Sequence, residues 1–286
     1  MKAGIYANMS EGADGVPRGF ISGTELGLYK DRFGGNCWWC GSRADSKEHK
    51  FKKSDLRRMW GDDDYLLKGD TNTGQLRRVN GPNSQAVKFD AFLCARCNNQ
   101  RSQRFDYAWD KFAQRAWDDM PRLWYRRYLD FEAIYGSNWA ADTEDLARYI
   151  IKHVGCRMWD AGFAPPREFA RFLDGTAPLH DTALLLVKDV HWWRAYKRNG
   201  RKYGGLDISQ TTGSVSQSTQ RLNAFFGGIT VGYVGFRYAW RDGEGPAESF
   251  YGHSRVRLIK YKDPYGPALT RGWEVGGVRS PTNGRL

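Results

Sequence analysis

The chain has 286 residues, enough for a full hydrophobic core and for two or three subdomains. Lys and Arg number 44 against 32 Asp and Glu, a formal charge of +12 that points to a polyanionic partner or to solubility alone. No stretch reads as a transmembrane helix: the nearest, residues 224–238, is broken by Gly227, Gly228, Gly232 and Gly235 and contains Arg237. The first fifteen residues lack the apolar run of a signal peptide, so a soluble protein of a reducing, cytoplasmic compartment is expected, with no membrane partner.

Residues 1–35 are Gly-rich and predict an irregular arm with one short helix over 23–32. A first compact unit runs from Cys37 to about Trp117. Within it Ser54–Trp60 predicts a short helix capped by Ser54 or Asp55, and residues 61–74 an acidic loop. Leu76–Val79 and Ala86–Leu93 flank Asn80-Gly81-Pro82-Asn83-Ser84, which reads as a hairpin. A long helix opens at Asn98, with Phe105, Trp109, Phe112 and Ala116 at helical spacing. Beyond Pro121, helices are expected over 122–135, 143–158 and 166–173, with Thr143 capping the second. After Gly175 the texture predicts a strand at 184–187, a Ser/Thr/Gln-rich loop at 209–220, strands over 229–240 and 254–261, and an extended tail from Asp263. The expected organisation is an arm (1–32), a compact unit (33–118), a mainly helical region (119–200) and a β-rich region with its tail (201–286).

Four of the five cysteines form two pairs, Cys37-x-x-Cys40 and Cys94-x-x-Cys97. Each CxxC turn presents two sulfurs to one side, and two turns supply the four thiolates of a tetrahedral structural zinc site. Disulfides or reduced core thiols are the other readings, and the lack of a secretory signal argues against disulfides. Gly41 follows the first pair, where a turn often needs a positive φ. Cys156 lies on an apolar stretch and is expected as a buried thiol. The pairs are separated by 53 residues, too many for a simple ribbon.

Between the pairs stands Glu48-His49, and directly after the second come Asn98 and Asn99. The order CxxCG, Glu-His, then CxxCN opening a helix resembles the HNH or His-Me finger (ββα-metal) endonucleases. The zinc-containing branch with two CxxC knuckles, which includes phage junction-resolving endonucleases, is similar in layout. The resemblance covers roughly residues 33–117. It implies that His49 is the general base, and that Glu48 and Asn98 hold a catalytic Mg²⁺ or Mn²⁺. It also implies structural Zn²⁺ on Cys37, Cys40, Cys94 and Cys97, DNA as substrate, and a phage, mobile-element or restriction context. Three features differ from the family pattern: Lys52 stands where many relatives have Pro, the span from His49 to Cys94 is longer, and no further His ligand follows, the next histidine being His153.

Read as residues, Glu48-His49 is equally an exposed pair in a basic loop, and Asn98 a helix cap. Lys47, Lys50, Lys52, Lys53, Arg57, Arg101 and Arg104 are candidate phosphate contacts or a solvated basic face. His191–Tyr203 interleaves aromatic and basic residues and reads as a second nucleic-acid surface or a core edge. The expected fold class is α+β: a zinc-stapled ββα-metal (HNH) module, a helical middle region and a β-containing C-terminal region. The expected function is metal-dependent hydrolysis of DNA phosphodiesters; the alternative is a non-catalytic zinc-stabilised DNA-binding or interaction protein. A homodimer or a further protein partner stays open.

Overall fold

The computed structural model describes residues 4–7, 35–60, 66–69, 76–198, 205–208, 212–216, 219, 221–245 and 247–261. The helix expected at 23–32 and the tail from Asp263 lie outside them. Among the described residues the chain forms an α+β fold with seven α-helices and several sheets. No helix among them is long and apolar enough to cross a membrane.

Two long strands form the middle of the large sheet, β10 (Leu222–Gly232) and β11 (Val234–Arg241). One strand over 229–240 was expected there. The turn between them is formed by Gly232, at φ +67, and a Tyr233 that is fully buried, so the polar punctuation that marks a hairpin in sequence is missing. On one side β11 pairs with β7 (Thr182–Asp189), and β7 with β13 (Ile259–Tyr261). On the other side β10 pairs with β8 (Gly205–Ile208) and with β9 (Thr212–Val215), and β9 with β1 (Gly4–Ala7). Thus β9 falls inside the stretch expected as loop, and β1 inside the expected arm. Alternate side chains of β10 and β11 are bulky and apolar, and Phe225, Phe236, Tyr238 and Trp240 are buried.

The helix α2 (Gln103–Asp118) buries Phe105, Trp109, Phe112 and Ala116 on one face, the spacing seen in sequence. Phe112 packs on Phe236 with ring centroids 4.8 Å apart, joining α2 to the sheet. Trp109 stacks on Tyr149 at 4.6 Å, joining α2 to α5 (Trp139–Asp160). This second helix is buried on nearly every side from Thr143 to Met158, polar residues included. Buried polar groups require partners, and several find one outside the helix. Arg148 Nε donates to Phe172 O, the His153 ring bonds Lys50 O, and Arg157 donates to Gly228 O. Against α5 packs α6 (Arg167–Leu173).

The helix expected over 122–135 is instead a short turn of helix, α3 (Met120–Leu123), a strand β6 (Tyr128–Asp130) and another short helix, α4 (Glu132–Tyr135). β6 pairs with β12 (Arg255–Arg257) in a two-stranded ribbon. The expected hairpin across Asn80–Ser84 is also different. β4 (Leu76–Val79) pairs with β3 (Leu66–Gly69), within the stretch expected as acidic loop, whereas β5 (Lys88–Leu93) pairs with β2 (Ser46–His49). Asn80–Ser84 therefore links two separate ribbons. The helix α1 (Lys53–Trp60) follows β2, as the Ser54–Trp60 pattern predicts.

Candidate functional site

The first CxxC turn closes on itself. Cys37 N donates to Ser42 O, Gly41 N donates to Cys37 O, and Gly41 takes φ +78, the conformation its place after the pair predicts. The second pair straddles the end of β5 and a wide helical turn, Arg96–Arg101, that leads into α2. All four Sγ atoms lie within 4.8 Å of one another and can hold a metal ion such as zinc. Cys40 and Cys94 are 3.6 Å apart, far beyond a disulfide bond and near the roughly 3.8 Å that tetrahedral Zn–S bonds require. Burial works against the Cys40 thiolate, but hydrogen bonds from Ser42, Cys97 and Cys94 bring it down to about 6, whereas burial pushes Cys37 and Cys97 up.

The knuckle is anchored to the rest of the chain. Trp39 Nε1 donates to Asp174 at 2.7 Å, and Arg101 pairs with the same carboxylate while lying 4.3 Å over the Trp39 ring. Arg101 also donates to Cys97 Sγ at 3.3 Å. Trp38 lies against α5 so closely that a Cβ at Gly155 would meet its ring at 2.3 Å, and its indole donates to Cys156 Sγ. Cys156 is fully buried, as expected of a core thiol.

Glu48 and His49 close β2, and Asn98 lies in the wide turn before α2. Adjacent strand residues face opposite sides unless the strand bends. Here the β2–β5 register slips between Lys47 and His49, an irregularity of the kind that re-aims side chains. Glu48 turns toward α2 and α5, where its carboxylate meets the fully buried Lys152 Nζ at 3.1 Å. Lys152 also donates to Ser102 Oγ at 3.2 Å and lies 3.5 Å from Asp106. Lys52 stands 3.6 Å from Asp106 and 2.9 Å from Asp110. Three carboxylates (Glu48, Asp106, Asp110) against two ammoniums (Lys152, Lys52) leave one formal negative charge. Burial disfavours the Lys152 ammonium, but Glu48 and Asp106 more than offset that and raise its pKa; burial also raises the Glu48 carboxyl.

Two buried polar atoms here have no hydrogen-bond partner, His49 Nε2 and Asn98 Oδ1. Asn98 is held from both sides: its Nδ2 donates to Ser46 Oγ at 2.9 Å, and its backbone O accepts from Ser102 Oγ. The amide is thus locked with its oxygen unpaired, a state that normally implies a missing water or ion. Burial, with Lys88 and Lys53 nearby, lowers the His49 pKa and keeps the ring neutral. Among the described residues no hydrogen bond joins His49 to Glu48 or to Asn98.

Several of the candidate phosphate contacts already have carboxylate partners. Lys47 faces Asp90 at 3.8 Å, Lys50 faces Asp160 at 3.3 Å, and Arg104 faces Asp145 at 3.4 Å, beside the Lys52 and Arg101 pairs above. Lys53 is half-buried near His49, and Arg57 is exposed on α1. On α7 (Val190–Arg198), Trp193 and Tyr196 are buried, while His191, Arg194, Lys197 and Arg198 are exposed. Sequence reading missed Ser46, Ser102, Asp106 and Lys152. A lone lysine on an apolar helix, 104 residues from its partner, carries no local signal. No family model, curated protein or solved structure matches the chain.

Proposed function

We propose that the chain is a metal-dependent DNA endonuclease whose zinc-bound module is of HNH type. One observation carries this reading: a strand ending in Glu48-His49, its antiparallel partner β5, and the wide turn that carries Asn98 into α2 follow one another around the four-thiol cluster. Four thiolates saturate a tetrahedral zinc, so that metal is structural. The unpaired Asn98 oxygen and the Glu48 carboxylate are the hard ligands on offer to Mg²⁺ or Mn²⁺, and the net negative charge of the Glu48 cluster favours a cation. Such an ion supplies charge stabilisation at the phosphorane and the leaving oxygen. His49, kept neutral, takes the proton from the attacking water through Nε2. Glu48 takes part only if Lys152 releases it.

The Lys152 pair favours a second reading, a non-catalytic zinc-stabilised DNA-binding or interaction protein in which the ammonium permanently fills the cation position. Cleavage of supercoiled and branched DNA with Mg²⁺ or Mn²⁺ separates the two. Under the nuclease reading wild type cleaves, and His49→Ala loses about 100-fold or more while keeping its zinc. No cleavage with any metal by zinc-loaded protein that still binds DNA establishes the second reading.

A further inference from the structure

A further basic and aromatic face lies on the ribbon of β6 and β12. The strand register puts Arg257 opposite Tyr128 and Arg255 opposite Asp130, so these four side chains share one face. Arg255 lies 4.7 Å and Arg127 5.7 Å from the Tyr128 ring, so two arginines flank the one aromatic side chain of the ribbon. Just before the ribbon, Tyr125 is 77% exposed, the most open large hydrophobic among the described residues. It is not loose: Trp193 meets it edge-on at 6.3 Å, and Trp193 is itself stacked on Trp124 at 4.6 Å. Lys260 lies 5.2 Å over Trp124 and is exposed. Among the described residues no ion pair engages Arg127, Arg255, Arg257 or Lys260. The nearby acid is Asp130, and one of its oxygens accepts the backbone N–H groups of Glu132 and Ala133. By contrast, Lys47, Lys50, Lys52 and Arg101 of the cysteine module are already paired with carboxylates.

We propose that this face binds single-stranded DNA, with Tyr125 stacking on a base and Arg127, Arg255, Arg257 and Lys260 along the backbone. A rigidly backed, open aromatic ring among unpaired cations is what stacking on an unpaired base needs; a duplex hides its base faces and offers Tyr125 nothing. A lipid surface would call for exposed aliphatic side chains, and none stands beside Tyr125 among the exposed large hydrophobics.

The test is fluorescence anisotropy of a labelled 20-nucleotide oligothymidylate with the full zinc-loaded chain and no added divalent cation. Cleavage does not enter, so the result is independent of the nuclease reading. Tyr125→Ala is expected to weaken binding about 10-fold, with little effect on a duplex of equal length. The Arg127→Ala, Arg255→Ala, Arg257→Ala triple variant is expected to reduce the log–log salt slope by about 2. All these side chains are exposed, so unchanged thermal melting is the folding control. Wild-type affinity for the oligothymidylate in both variants overturns the proposal, as does an equal loss on duplex with Tyr125→Ala.

Discussion

The cysteine module and the C-terminal sheet share one apolar core, but only the module adds a thiol cluster to it. In the sheet, long buried strands interlock through Phe225, Phe236, Tyr238 and Trp240, and one close ion pair, Arg237 with Asp189 at 2.8 Å, lies beneath. In the module, the strands are short; Trp39, Phe89, Leu93, Phe105 and Trp109 belong to the same core as the sheet, a small cluster of Leu56, Val79 and Val87 lies under α1, and four thiols and lysine–carboxylate pairs are added to that packing. Apolar packing of this kind specifies a fold without reactive groups. Buried polar atoms without a partner occur in both regions, Asn223 Oδ1 and Thr230 Oγ1 in the sheet and His49 Nε2 and Asn98 Oδ1 in the module, but those of the module adjoin Glu48 and Cys97 in the chain.

Metal removal should separate the two regions most sharply. Structural zinc contributes on the order of 10 kcal/mol to small metal-held folds. Chelation is expected to open residues 35–101 to limited proteolysis while the β-sheet circular dichroism signal survives. Equal protection of both regions after verified zinc loss would remove the distinction. The helix α2 belongs to both, through Asn98 upstream and Phe112 on Phe236, so its C-terminal half should stay protected.

Lys152→Met should come next in size. It leaves Glu48 and Asp106 without their buried cation, at a cost of about 3–5 kcal/mol in urea unfolding. If Glu48 is a metal ligand, Mn²⁺ should restore more stability to this variant than to wild type; no response to Mn²⁺ would assign the Glu48 cluster to structure alone.

A smaller effect follows from His153. Its ring is fully buried beside Phe89 at 5.2 Å, and burial, with Arg157 nearby, lowers its pKa to about 3. The unfolded chain takes up this proton near the ordinary value of 6.5, while the folded chain refuses it. The contribution is therefore complete above pH 6.5 and is lost as pH falls from there toward 3. A His153→Gln variant should show a shallower acid decline in stability across that window, and an unchanged slope would contradict the assignment.

Some of this was legible from residues alone. The thiol cluster follows from two CxxC spacings, and the buried face of α2 from the recurrence of Phe105, Trp109, Phe112 and Ala116. The pairing of β2 with β5 was not legible, because Asn80–Ser84 carries strong turn chemistry and drew the expected hairpin to the wrong partners. The turn at Gly232-Tyr233 was hidden because it is buried under Met120 rather than solvated. Lys152, His153 and Arg157 of α5 could not be assigned, since each finds its partner in a different, distant part of the chain.

Asn98, held beside the knuckle with its buried oxygen unpaired, is the ligand we propose for a divalent ion. The most direct measurement is Mn²⁺ affinity by electron paramagnetic resonance, on zinc-loaded wild type and Asn98→Ala. One Mn²⁺ site is expected in wild type, weakened 10-fold or more in the variant with zinc content unchanged. Mn²⁺ binding that is absent from wild type, or equal in both proteins, would contradict it.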